Sequence, residues 1–358
     1  MSRDYSKFFL NQPPGAPPTG SDSELVQLGW QSFFAQQIDA DALRATPPVR
    51  VIEVHRNALH VLGDGLDTTI PPVVDTTVGD WILLDPDAPQ NSIVLKRKSV
   101  LKRKAPGTER AFQLIAANVD TVFIVTSCNH DFNIARLERY VALAFDADAA
   151  AVILITKADQ CDDSETFAAQ ARKISDVVPV IPLDARGDAP RRELAPWCRL
   201  GETVCFLGSS GVGKSTLTNA LIGNANIATQ TIREDDSRGR HTTTRRQLHR
   251  IPSGCLVVDT PGMRELQLAD VEGGIDDVFQ DIAEIAKRCR FRDCQHDSEP
   301  DCAVREAVDT GQIDSARFGR WRKLKSEEAF NSSSLSERKQ KDKALGKIIR
   351  QFKPQNRK

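Results

Sequence analysis

"FLGSSGVGKSTLTNAL" (206–221) decides how this chain is read. The apolar run TVCFLG (203–208) leads into Gly208-x4-Gly213-Lys214-Ser215, and a helix-like segment follows. Strand, glycine-rich loop and helix in that order make a phosphate cradle. Its glycines let backbone N–H groups converge on phosphate oxygens, Lys214 is placed to bridge β- and γ-phosphates, and Ser215 offers an oxygen to Mg2+. Gly208, Ser209, Ser210, Gly211, Val212, Gly213, Lys214, Ser215 and Thr216 are therefore the candidate phosphate contacts.

Downstream, VVDTPGMRE (257–265) closes another apolar run with Asp259, where a carboxylate can hold Mg2+ through water, and Gly262 leaves a backbone N–H free for a γ-phosphate. Between the two lies DDSRGRHTTTRRQ (235–247), a polar loop. A threonine in such a loop reaches Mg2+ only while the γ-phosphate is present, which makes an order–disorder switch; Thr243 or Thr242 is the candidate. Many GTP switches carry glutamine directly after Asp-x-x-Gly to orient the attacking water. Met263 stands there and cannot do so, so intrinsic hydrolysis is expected to be slow, with His241 the candidate water-positioning side chain.

The base-reading motif lies upstream of the phosphate loop. LITKAD (154–159) ends an apolar strand in Thr156-Lys157-Ala158-Asp159. A carboxylate at 159 accepts from N1–H and the exocyclic amine of guanine, whereas adenine would leave that acceptor unpaired. The Lys157 stem can pack over the base, and PLDARG (182–187) brings the backbone of Ala185 toward guanine O6. The motif order is base, base, phosphate, switch, switch, a circular permutation of the usual one.

Around these motifs TVFIVTS (121–127), AAAVILIT (149–156), VVPVIPL (177–183), TVCFLG and CLVVDT (255–260) alternate with helical segments such as RLERYVALAF (136–145). Such alternation predicts a mostly parallel sheet covered by helices, with ligands beyond the carboxyl ends of the strands. Residues 49–104 instead read as short β pieces, suited to a small barrel. ELVQLGWQSFFAQQI (24–38) is expected to form a short helix with Leu25, Leu28 and Trp30 packed inward. A further helix is expected over 315–329.

Five of the eight cysteines are scattered, and the other three gather as Cys289-x4-Cys294-x-His296-x5-Cys302. Three thiolates and one imidazole form a closed tetrahedral set for structural Zn2+, with no position left for a catalytic water. A polar helical segment with little apolar content needs such a metal to order it.

Among 358 residues, 48 basic and 49 acidic side chains leave a net charge of −1. Basic residues concentrate in KRKSVLKRK (96–104), six in nine, and in the tail from Ser336 to Lys358, nine basic against two acidic. Both suit a polyphosphate partner such as RNA. No apolar signal core opens the chain and no stretch approaches the ~18 residues of a membrane span, so a cytoplasmic protein without membrane contact is expected.

Taken together, VGDWILLD, RKSVLKRKA, TKAD, GSSGVGKST, GRHTTT, DTPG and the Cys/His cluster, in this order, resemble the RsgA family of circularly permuted GTPases over roughly residues 24–330. The resemblance implies a multidomain α/β chain. An N-terminal extension (1–44) with a short helix precedes an OB-type RNA-binding β-barrel (45–104), and a circularly permuted P-loop G domain (105–269) follows. A helical zinc-binding domain (270–330) completes it, and residues 1–23 and the basic tail (331–358) lie outside the shared pattern. The resemblance also implies GTP/GDP with Mg2+ and one Zn2+ as cofactors, and GTP hydrolysis stimulated by the 30S subunit and its 16S rRNA late in assembly, by a monomer. Two positions depart from the family's pattern: Thr156 stands where asparagine is common, and Asp184-Ala185 where Ser-Ala is common. A different reading of the same residues makes the chain an RNA-binding assembly factor with GTP as a structural ligand. A third, a P-loop kinase, lacks an acceptor-site signature.

Overall fold

The computed structural model describes residues 23–39, 43, 45–104, 112–223, 246–259 and 271–332. Two compact units divide the chain: residues 1–102 with 114–265, and residues 103–113 with 266–358.

The first unit is organised on one sheet of eleven strands. Its α/β half contains β8 (Thr121–Ser127), β9 (Ala150–Thr156), β10 (Val180–Pro182), β11 (Thr203–Gly208), β12 (Arg246–Arg250) and β13 (Leu256–Asp259). Their spatial order is β10-β9-β8-β11-β13-β12, parallel except for the last pair. β8 and β11 are buried at every position, as strands covered on both faces must be. Successive strands from β8 run outward one way and those from β11 the other. The order therefore reverses between β8 and β11, and ligands bind beyond the carboxyl ends of strands at such a reversal.

Four helices flank this half: α1 (Ile134–Asp146), α2 (Ser164–Arg172), α3 (Ala189–Glu193) and α4 (Lys214–Ile222). Asn133 caps α1 by accepting from the Arg136 N–H, and Leu137, Tyr140, Val141 and Ala144 form its buried stripe, as the 3.6-residue period requires. β10 is shorter than the apolar run at 177–183: Val177 is exposed and only Val180–Pro182 pair with β9.

The β-rich half starts with β1 (Pro48–Val54), β2 (Leu59–Gly63) and β3 (Leu66–Ile70), followed by β4 (Trp81–Leu83) and β5 (Ile93–Val94). β2 pairs along most of one edge of β1. On the other edge β4 pairs with residues 48–50 and β12 with Glu53 and Val54; the register irregularity between Val51 and Glu53 lies in the pairing with β2. Val49, Val51, Leu59, Val61, Ile70, Ile82 and Leu84 fill this half. β6 (Val100–Lys104) and β7 (Phe112–Ala117) form a separate two-stranded ladder.

Before β1, the expected short helix over 24–38 is two single turns, Glu24–Gln27 and Ser32–Ala35. Gly29 breaks it at φ +85°, where a Cβ would lie 2.6 Å from both an Arg50 nitrogen and the Gly201 carbonyl. Leu25, Leu28 and Trp30 are buried as expected.

The second unit contains α5 (Glu272–Val278), α6 (Gln280–Ala286), α7 (Ala303–Asp309) and α8 (Ser315–Ser332). Its apolar centre includes Ile275, Phe279, Ile282, Val304, Trp321 and Leu324. Arg317 pins α8 down: its guanidinium lies over the Phe279 ring, bonds both Asp281 oxygens at 2.9 and 3.0 Å, and donates to the Val278 carbonyl. No helix of the described residues is long and apolar enough to cross a membrane.

Candidate functional site

The phosphate loop leaves β11 at the strand-order reversal. Gly208 (φ +149°), Gly211 (+77°) and Gly213 (+100°) all occupy conformations that disfavour side chains. At Gly208 a Cβ would also meet the Val125 carbonyl of β8 at 2.2 Å, so the loop can start only where a glycine lets the two strands close up. Val212 is buried in the core of the α/β half and anchors the loop from beneath. Gly213 precedes the first turn of α4, and its carbonyl accepts from the Leu217 N–H at 2.9 Å. The Lys214 ammonium folds back onto the loop, donating to the Gly208 carbonyl at 2.7 Å and to the Ser209 carbonyl. Ser215 and Thr216 are exposed in the first turn of the helix.

Strand register places the other motifs at the same edge. Thr156 ends β9 beside Ser127 of β8, and Val125, two residues earlier on β8, pairs with Gly208. The Thr156 side chain is fully buried; its hydroxyl lies 2.6 Å from the Val212 carbonyl and 3.1 Å from that of Thr126. A Cβ added to Gly213 would sit 3.6 Å from both Thr156 and the Ala185 methyl. The back of the phosphate loop thus rests on both the Thr156 and the Ala185 segments.

Lys157 adopts a left-handed conformation at φ +58°, unusual for a side-chain-bearing residue, and turns the chain into Ala158 and Asp159. The Asp159 carboxylate is about one-third exposed and bonds Arg186 at 2.6 Å. Asp259 is half-buried at the carboxyl end of β13, one residue beyond the Val258 that pairs with Cys205. Burial pushes its carboxyl above the usual range, and His249 on β12 works against that. A buried carboxylate held in this way gains most from a cation. His241, Thr242, Thr243, Gly262 and Met263 lie outside the described residues.

In the second unit Cys289, Cys294, His296 and Cys302 converge with all four ligand atoms within 4.8 Å of one another. Cys289 and Cys302 sulfurs are 3.9 Å apart, and the His296 Nδ1 lies 3.6 and 3.3 Å from them. Two sulfurs each ~2.3 Å from a tetrahedral ion stand about 3.8 Å apart, so this donor set fits zinc. The ring of His296 packs against Trp321 at 5.3 Å.

Sequence reading singled out Thr156 and Asp184 without their partners, and passed over Arg186 and Glu299. The Thr156 hydroxyl finds its partner far along the chain, and Arg186 bonds both Asp184 and Asp159. Glu299 accepts from the N–H groups of Gln295, Asp297 and Ser298 at 2.8, 2.8 and 3.1 Å. Those donors hold its carboxyl down to about 2 and tie the loop between His296 and Cys302. The basic run at 96–104 also differs from a purely solvent-facing patch. Arg97 bonds Asp80 at 2.7 and 3.0 Å, and Lys98 bonds Asp120 and Gln31.

A family model described as RsgA GTPase matches residues 94–269. Small ribosomal subunit biogenesis GTPase RsgA 2 of Vibrio parahaemolyticus is 44% identical over 341 residues, 94% of this chain and 95% of that protein. The chain belongs to the RsgA GTPase family. A second member, from Mesorhizobium japonicum, is 48% identical over 322 residues, 88% of this chain and 92% of its own length. Among solved structures, YjeQ from Thermotoga maritima aligns with a TM-score of 0.56 at 27% identity, over 77% of this chain and 96% of that one. YloQ, described as a circularly permuted GTPase, aligns at 0.53 and 25% identity, over 81% and 97%. As an RsgA GTPase the chain is a GTP hydrolase, with a permuted order of strands and motifs that accounts for β8–β10 preceding the phosphate loop.

Proposed function

We propose that this GTPase acts in biogenesis of the small ribosomal subunit and hydrolyses GTP to GDP and phosphate when docked on a 30S particle through 16S rRNA. The observation that supports the reading is the joint between Thr156, Ala185 and the phosphate loop, which ties the segments proposed to meet the base to the one proposed to meet the phosphates. The names of the relatives supply the particle.

In this reading Thr156, Lys157, Ala158, Asp159 and Ala185 receive guanine, and residues 208–216 receive the phosphates. Mg2+ would be held by Ser215, by Thr243 and, through water, by Asp259, and would offset phosphate charge. His241 or a group from the particle orients the attacking water that Met263 cannot. Zn2+ on Cys289, Cys294, His296 and Cys302 shapes the 270–330 domain, and residues 45–104 form the OB-type module that grips rRNA. The protein works in the cytoplasm as a monomer.

The deciding experiment is phosphate release from GTP with and without purified 30S subunits, with ATP as control. Stimulation specific to GTP is expected. Tight GTP binding with no response to 30S subunits would instead favour an assembly factor that uses GTP as a structural ligand.

A further inference from the structure

The segment that departs from the family's usual Ser-Ala reads Asp184-Ala185-Arg186-Gly187. Asp184 closes a tight turn by accepting from the Arg186 backbone N–H at 2.9 Å, and the same oxygen takes the Arg186 Nε at 3.3 Å. Gly187 follows at φ +67° and lets the chain leave that turn. Held at one end, the guanidinium extends its other arm to Asp159 Oδ2 at 2.6 Å. One arginine therefore bridges a carboxylate on the loop after β10 and a carboxylate on the loop after β9. These are the two loops that receive the base.

Resting on the guanine reading of Asp159 given above, we infer that Arg186 is a positioning residue for base selection, fixing the plane of the Asp159 carboxylate so that it can accept two hydrogen bonds from guanine at once. An ionised carboxylate offers about four lone-pair sites, so Arg186 and the two guanine donors can be accommodated together. A planar, forked cation bonded to two acceptors sets an orientation that a point charge cannot. The consequence is selective. Guanine needs both N1–H and the exocyclic amine aligned with the carboxylate; hypoxanthine has no such amine and presents a single donor, which tolerates a rotated carboxylate. Loss of Arg186 should weaken guanine more than hypoxanthine.

The test measures the affinities of the full-length protein for GDP, IDP and ADP in wild type, Arg186→Ala and Arg186→Lys, with thermal melts as a folding control. Arg186 is 62% exposed, so both variants should fold. Arg186→Ala is expected to weaken GDP roughly 10-fold and IDP only about 2-fold, the scale of one charge-assisted hydrogen bond. Arg186→Lys restores charge but not the fork, and should leave the GDP-to-IDP ratio near that of the alanine variant. Equal weakening of GDP and IDP would reduce Arg186 to general loop support and overturn the inference. Unchanged affinity, or tighter GDP binding in the alanine variant, would overturn it too, the latter by making Arg186 an occluding cap. A wild type that fails to prefer GDP over ADP would instead sink the guanine reading itself.

Discussion

The hydroxyl of Thr156 reaches the carbonyl of Val212 at 2.6 Å, joining the end of β9 to the phosphate loop. Asparagine, common at this position in the family, carries two N–H donors, whereas threonine has one proton to share between Val212 and Thr126. Thr156→Val keeps the shape and removes the donor, leaving buried carbonyls unpaired at a cost of about 1–3 kcal/mol. It should lower the melting temperature and weaken GDP roughly 10-fold, while Thr156→Asn should bind GDP at least as well as wild type. Calorimetric titration and melts of the three proteins check this. Equal GDP affinity in Thr156→Val would mean the hydroxyl is not what holds the loop.

The glycine-rich loop after β11, the turn of TKAD after β9 and the convergence of the Cys/His cluster were legible in sequence because residue type and spacing signal them locally. β12 was not. It has one buried apolar residue, Leu248, in Arg246–Arg250, and is a strand because β13 and β1 supply partners on both sides. Gly29 was invisible as a break for a similar reason, since the atoms that exclude a side chain there belong to Arg50 and Gly201. Thr156 and Arg186 stood in plain view as residue types, but their partners are set by which strands lie side by side.

Arg50 is a second long-range joint. Its buried guanidinium lies over the Trp81 ring, donates to the carbonyls of Leu28, Gly79 and Asn118, and reaches the Thr203 hydroxyl at 2.9 Å. Burial lowers its pKa to about 10, with Asp120 and Asp80 opposing, so it remains charged at neutral pH. Arg50→Met should cost about 3 kcal/mol by orphaning these acceptors. Chemical denaturation would show a lower midpoint. An unchanged midpoint would mean that water replaces the guanidinium.

Asp259 supplies a pH-dependent prediction. Because burial raises its folded pKa above the unfolded value, its contribution to stability is fully present below the unfolded pKa and is lost as pH rises through the folded pKa. The ionised carboxylate is therefore the form that burial disfavours in the nucleotide-free protein. Asp259→Asn should melt higher without nucleotide, since the amide carries no charge to desolvate. The same variant should lose the extra stabilisation that Mg2+ gives to GTP-bound wild type. Melts at several pH values, with and without Mg2+, test both halves. A lower melting temperature for the nucleotide-free variant would show that Asp259 makes compensating bonds.

Metal removal should affect the second unit and spare the first. His296 turns at φ +58° and Asp301 at +57°, conformations held by the ligand loop and the Glu299 carboxylate. Without metal, three thiols and an imidazole lose the ion that would cross-link them, and the loop that carries them keeps only the packing of His296 on Trp321 and the Glu299 hydrogen bonds. Cys302→Ser removes the most enclosed sulfur and should abolish a stoichiometry of one zinc per chain while lowering helical content. GDP binding should survive, since every candidate nucleotide-binding residue belongs to the first unit. Metal analysis, circular dichroism and GDP titration on the same preparation distinguish the outcomes. Full zinc content in Cys302→Ser would exclude Cys302 as a required ligand, and loss of GDP binding would show that the nucleotide site depends on the metal.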